Sequence, residues 1–150
     1  MQYGDVIAFK PTTTYGKAIS LFDGSPYSHV AMFLKYEKGI PLFIESHEKK
    51  GGVVISKLHE WGNYVIYRPV DLKPRPMKDM LDKLGTPYDG SMILHIIMAK
   101  TFNREQANND FSRVICSEFI DYGYRYKVGG GLIATPKTFY SSKHFMKING

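Results

Sequence analysis

The fold is read from one stretch: Ser28-His29-Val30-Ala31-Met32-Phe33-Leu34-Lys35, the turn residues Glu37-Lys38-Gly39, and then Leu42-Phe43-Ile44-Glu45-Ser46. From His29 to Lys35, Val30, Met32 and Leu34 alternate with His29, Ala31 and Phe33, so the segment reads as a strand with apolar material on both faces. The turn and the second run make a hairpin of it. Further strand signals lie on either side, at Asp5 to Phe9, at Val53 to Ser56 after Gly51-Gly52, and at Tyr64 to Arg68. Adjacent short strands with tight turns imply an antiparallel meander. Between the first two, Tyr15 to Phe22 predicts a helical turn or two, stopped by Asp23-Gly24-Ser25-Pro26.

After Pro69 the period changes. Met77, Met80, Leu81 and Leu84 recur at helical spacing, which predicts an amphipathic helix over Arg75 to Leu84 ended by Gly85 and Pro87. A second helix is expected from Ser91 to Met98. A third follows Cys116, with Phe119, Ile120 and Tyr124 on its apolar face. Gly129-Gly130-Gly131 breaks the chain, and Thr135-Pro136 reads as an N-cap and first residue of a short last helix. Strands first and helices after them give an α+β fold, a small antiparallel sheet packed against helices. The 150 residues, 43% of them hydrophobic, suffice for one domain over 1–150.

Composition removes several function classes. One cysteine excludes an intrachain disulfide framework and the paired-cysteine zinc motifs. A net charge of +6 and a sequence pI near 9.3 raise the question of nucleic acid. The twenty Lys and Arg are scattered, however, with no run beyond Lys49-Lys50 and no aromatic RNA-binding strand, so no nucleic-acid partner is expected. Weak association with an anionic membrane or cell-wall surface fits the charge as well. The start Met-Gln-Tyr-Gly-Asp lacks the marks of a secretory signal, and Ile93 to Ala99 is too short to span a membrane. A cytoplasmic location is expected.

Chemistry is sought at Cys116, at the start of a helix, where free N–H groups and the macrodipole favour a thiolate. A lone cysteine among apolar neighbours is otherwise a small buried hydrophobe. A thiolate nucleophile needs an imidazole, and the imidazole needs a group that holds its tautomer. Of five histidines, His29 heads a strand after the Gly-Ser-Pro-Tyr-Ser loop, at a rim position. His47 is its rival, while His59, His95 and His144 occupy ordinary positions. If the two strands form an antiparallel hairpin, opposed residue numbers have a constant sum, which must be even to put His29 and Glu45 on one face. A sum of 74 sets Glu45 opposite His29; a sum of 76 sets it one diagonal step away and His47 opposite. Glu45, His47 and His59 also make a nominal metal triad, but without a recognised ligand spacing, and neither metal nor cofactor is expected.

In order along the chain stand Gly4-Asp5-Val6-Ile7-Ala8-Phe9, Ser28-His29-Val30-Ala31-Met32, Phe43-Ile44-Glu45-Ser46, Pro87-Tyr88-Asp89, Ile115-Cys116-Ser117-Glu118 and Thr135-Pro136. This series resembles the circularly permuted papain-like hydrolases of the YiiX/YebB type, relatives of the NlpC cell-wall peptidases and of lecithin:retinol acyltransferase. Ordinary papain-fold enzymes place Cys before His; here His29 and Glu45 precede Cys116. The resemblance implies a permuted papain-like (NlpC-like) fold, with Cys116 as nucleophile, His29 as general base and Glu45 orienting the imidazole. It leaves Asp5 as a turn former and Tyr88-Asp89 as structural or cleft-lining. The implied function is a cysteine amidase, peptidase or esterase working through an acyl-enzyme on a peptide, a cell-wall amide or a lipid acyl group. A lipid acyltransferase or phospholipase with the same site, or a catalytically silent papain-fold binding module, are the alternatives. The backbone N–H of Cys116 is the expected first oxyanion donor, with the Tyr27-Ser28 loop as source of the second.

Overall fold

The computed structural model describes residues 1–58, 63–91, 112–130 and 132–149. Its strands are β1 (Val6–Phe9), β2 (His29–Glu37), β3 (Ile40–His47), β4 (Gly52–Lys57), β5 (Tyr64–Pro69) and β6 (Phe145–Asn149). The helices among these residues are α1 (Thr14–Asp23), α2 (Met77–Leu81), α3 (Cys116–Gly123) and α4 (Pro136–Ser141), with a 3-10 turn at Glu48–Lys50. The strands form one antiparallel sheet in the order β4-β3-β2-β1-β5-β6. The fold is α+β.

Alternation along the strands assigns their side chains to the two faces. Val6, Ala8, Val30, Met32, Ile44, Val65 and Tyr67 pack with Met80, Phe119, Ile120, Tyr124 and Phe139 of the helical layer. Ile7, Phe9, Ala31, Phe33, Phe43 and Leu58 form a second cluster on the opposite face. Each such side chain removed from water contributes roughly 1.5–3 kcal/mol, and the two-sided burial explains why β1 and β2 lack a polar face.

Three expectations need correction. The meander holds only from β1 to β4, because β5 pairs with β1 and not with β4. All four residues of β1 are buried, and a strand so placed needs hydrogen-bonding partners on both edges. The helix expected over Arg75 to Leu84 is only Met77–Leu81. Pro76 precedes it and disfavours helical backbone at Arg75, and Leu84 stands 45% exposed beyond it. Strand β6 was not expected at all. It adds a sixth strand beyond β5, and Phe145 packs its ring against Tyr124 and Phe139.

Local chemistry fixes the other boundaries. Thr13 caps α1 by accepting from the Gly16 N–H, and Gly24 ends it in left-handed conformation. The β2–β3 turn places both Lys38 and Gly39 at positive φ, as a tight hairpin requires. Gly90 and Ser91 are helical, whereas residues 92–98 of the helix expected there lie outside the described residues, as do His59 and His95. No helix among the described residues is long and apolar enough to cross a membrane.

Candidate active site

The thiol is placed by a seam of backbone bonds. Asp89 N–H donates to the Val114 carbonyl and Val114 N–H to the Pro87 carbonyl, while Ser46 Oγ on β3 donates to the same Val114 carbonyl at 2.7 Å. The Pro87-Tyr88-Asp89 segment is itself tied to the edge of β4: Val53 N–H donates to Thr86, and Tyr88 N–H to Gly51. A Cβ on Gly52 would stand 2.1 Å from the Thr86 oxygen, so only glycine allows this approach. Ile115 follows as N-cap and Cys116 as first residue of α3, where the opening N–H groups have no intrahelical acceptor.

His29 opens β2 and Glu45 lies near the end of β3. Their register is Met32 against Ile44 and Phe33 against Phe43, a sum of 76, so Glu45 is the diagonal neighbour of His29. His29 Nε2 and Glu45 Oε2 are 2.6 Å apart. An ionised carboxylate only accepts, so Nε2 carries the hydrogen. Cys116 lines the same cavity as His29 and raises its imidazole, while Glu45 takes Nε2. Cys116, His29 and Glu45 therefore stand close enough to act on one another.

Burial shapes the charges. The His29 side chain is 14% exposed and that of Glu45 is wholly buried. Burial pulls His29 down, but Cys116 and Glu45 outweigh it and raise the imidazole to about 10. Burial pushes Glu45 up, yet the bonds and charge from His29, with the Ser56 hydroxyl, hold it below the usual carboxylate range. The buried imidazolium and carboxylate thus keep each other charged.

The remaining expected residues separate from this chain. His47 lies across from His29, with ring centroids 5.6 Å apart and T-shaped, and its Nδ1 accepts from the Lys49 N–H. Burial, with the charges of His29, Lys50 and Lys49, keeps His47 below the ordinary histidine range against the pull of Glu45. His144 pairs with Asp71 at 2.8 Å. Asp5, wholly buried, takes Arg68 in a fork at 2.9 and 2.8 Å and accepts from Gln2 N–H, so it ties β1 to β5. The Tyr27 hydroxyl is engaged with Tyr67, which leaves Ser28 as the loop residue beside the site.

Cys116, His29, Ser28 and Tyr88 line a cavity of about 630 Å³. Tyr15, Ile19 and Phe22 of α1 form an apolar wall, and Lys10, Lys49 and Lys50 bring positive charge to it. Burial and the neighbouring Cys116 raise the Tyr88 phenol, so it stays protonated. Sequence reasoning missed two hydroxyls here. Ser56 Oγ donates to Glu45 Oε1 at 2.5 Å, and Ser117, which also lines the cavity, has a buried Oγ with no hydrogen-bond partner among the described residues. The signal for Ser56 was a serine within Val53-Val54-Ile55-Ser56, a strand otherwise apolar up to that point.

No protein-family model matches the chain, and no curated protein matches it. Among solved structures, the crystal structure of the metalloprotein yiiX from Escherichia coli O157:H7 superposes with a TM-score of 0.67, covering 98% of this chain and 96% of that one at 19% identity. This chain has the YiiX fold. Within the YiiX fold as this chain forms it, the β2–β3 hairpin precedes α3, so imidazole and carboxylate are delivered before the thiol.

Proposed function

We propose that this chain is a cysteine hydrolase that cleaves an amide or ester through Cys116, His29 and Glu45. The observation that carries the reading is that Cys116 lines one cavity with His29, whose imidazole is bonded to the buried carboxylate of Glu45. In the reaction, Cys116 attacks the substrate carbonyl as the thiolate, its proton already held on His29 Nδ1. The oxyanion formed is met by the N–H of Cys116 at the start of α3, and the Ser117 hydroxyl is free to be the second donor, in place of the Tyr27-Ser28 loop. The intermediate collapses as His29 returns its proton to the leaving amine or alcohol. Water, deprotonated by His29, then attacks the thioester, and the acid leaves with Cys116 restored. Glu45 holds Nε2–H throughout, which keeps Nδ1 turned to the sulfur.

Two features bear on the substrate. The wall of Tyr15, Ile19 and Phe22 suits an apolar acyl group, and the lysines suit an anionic one beside it. This favours the ester and lipid-acyl end of the expected range, whether the acceptor is water or another alcohol. The YiiX structure is described as that of a metalloprotein, but the donors here do not suit a metal. No three His, Cys, Asp or Glu among the described residues come together as ligands. Both oxygens of Glu45 are engaged by His29 and Ser56, and His47 Nδ1 accepts from Lys49. No step runs through a metal.

The test is iodoacetamide alkylation of Cys116 at about pH 6 in wild type and His29→Ala, followed by turnover of nitrophenyl esters and anilides. A fast reaction that falls tenfold or more without the imidazole is the expected result, with turnover abolished in Cys116→Ala. A thiol that ignores His29, or an active Cys116→Ala protein, refutes the reading and leaves the binding module.

A further inference from the structure

Glu45 is engaged at both oxygens. Oε2 faces His29, and Oε1 lies 2.5 Å from Ser56 Oγ on the neighbouring strand β4. Ser56 is buried, and the Lys50 ammonium, from the 3-10 turn, lies 2.7 Å from its oxygen but 3.7 Å from Glu45 Oε1. An ammonium has only hydrogens to give, so Ser56 accepts from Lys50. A hydroxyl has one hydrogen, and its place is then on Glu45. Every bond in the series has a fixed direction: Lys50 to Ser56, Ser56 to Glu45, His29 to Glu45.

The last side-chain torsion of Glu45 depends on what holds its two oxygens. The last torsion of a glutamate is broad and nearly two-fold, so a carboxylate held at a single oxygen swings about it. Held at both, its plane is fixed, and Oε2 stays in line with Nε2–H. Resting on the hydrolase reading above, we propose that Ser56 is a positioning residue that fixes the plane of Glu45, and that Lys50 acts on Glu45 through Ser56. The charged and titratable groups facing Glu45 are His29 on β2, His47 on its own strand and Lys50 after it, and β4 contributes the uncharged Ser56. Of the groups around Oε1, Ser56 alone is both buried and within hydrogen-bonding distance.

The experiment is the pH profile of Cys116 alkylation by iodoacetamide in wild type, Ser56→Ala, Lys50→Ala, the double variant and Ser56→Thr, with folding checked by circular dichroism. Losing the hydroxyl bond makes Glu45 easier to protonate, so the acid limb of the Ser56→Ala profile moves up by about one pH unit, and the rate well down that limb falls about tenfold. Lys50→Ala gives a smaller shift, which shrinks by half or more in the Ser56→Ala background, where only the direct attraction across 3.7 Å is left. Ser56→Thr restores the wild-type limb. A serine that only fills space would alter the melting temperature and leave the limb in place. A folded Ser56→Ala protein with the wild-type profile overturns the inference, as does a Lys50 effect that persists in full without Ser56. If Ser56→Ala does not fold, Lys50→Ala and Ser56→Thr decide it: an unmoved limb in the first, or a displaced one in the second, overturns it. A wild-type thiol that ignores His29 removes the hydrolase reading itself, and is seen before any Ser56 variant is made.

Discussion

Replacing Glu45 by glutamine tests the site most severely, because shape is kept and only one charge and one acceptor are lost. Two donors converge on the carboxylate, His29 Nε2–H at one oxygen and the Ser56 hydroxyl at the other, in a place closed to water. An amide offers one oxygen and one NH2. If the oxygen turns to His29, Ser56 loses its acceptor; if it turns to Ser56, the NH2 meets Nε2 and favours the tautomer with hydrogen on Nδ1, the nitrogen that faces sulfur. A buried donor left unmet costs about 1–3 kcal/mol, and exchanging a charge-assisted bond for a neutral one costs about another 1 kcal/mol. Most of that is a cost to stability; the wrong tautomer and the lost charge beside the imidazolium are what slow the reaction, by about 2 kcal/mol or more, a rate loss of roughly thirtyfold or more. The assay is ester turnover together with iodoacetamide alkylation of Cys116 near neutral pH, with unfolding curves to show that the variant folds. Rates within threefold of wild type would refute the argument. So would greater damage from His47→Ala, since His47 touches the His29 ring only by its edge and its loss should cost less than about threefold.

Three further substitutions read other parts of the site. Ser117→Ala should leave iodoacetamide alkylation unchanged while slowing acylation by p-nitrophenyl acetate about tenfold or more, because only the second reaction passes through an oxyanion; equal rates in both assays would remove Ser117 from the mechanism. Glu118, at the third position of α3, is raised to about 7 by burial and by Asp89 and Asp121, against the pull of the Ile115 N–H. The unfolded chain releases this proton near 4.5 and the folded chain near 7, so this group costs stability progressively as pH rises between those values and fully above them. Glu118→Gln should therefore stabilise by about 1–2 kcal/mol near pH 8, after discount for partial exposure, and by almost nothing near pH 4; equal effects in urea unfolding at both pH values would contradict this. Gly52→Ala drives a Cβ against the Thr86 carbonyl, with an expected loss of about 2–4 kcal/mol in the same measurement and a displaced Tyr88; an unchanged midpoint would show that the edge yields.

What the sequence disclosed followed from local rules. Alternation over His29 to Lys35 gave β2 and both of its buried faces, and parity narrowed the partner of His29 to a small set containing Glu45. The choice between sums of 74 and 76 was not legible, because the β2–β3 register shifts between Phe33 and Lys35 and no local pattern announces it. Strand β6 was hidden for a related reason: Lys143-His144-Phe145-Met146-Lys147 has no clean alternation, and the strand forms by pairing with β5. Leu84 misled the helix reading because its spacing is right while its turn lies beyond the helix. Ser56 and Lys50 were invisible because the register that sets them beside Glu45 is fixed by the β3–β4 pairing and not by any local pattern. Asp5, by contrast, took the structural role its turn position suggested, with Arg68 as a partner that only the sheet could supply.

The hairpin that carries His29 and Glu45 has a consequence for the order in which this protein assembles. The two side chains are sixteen residues apart, joined by a short turn, and such local pairings form within microseconds. Cys116 reaches them only when α3 docks, and the contacts that anchor the helical layer are among the most distant in the chain: the Tyr124 hydroxyl on the Gly4 carbonyl spans 120 residues, and the Lys137 N–H on Asp23 spans 114. Contacts of such separation close late, because loop closure must be overcome before they form. Pairing of the imidazole with the carboxylate is therefore a local event, and the approach of the thiol to them is a long-range one. The pairing of Cys116, the proposed nucleophile, with His29 waits on the docking of α3 and comes late in assembly.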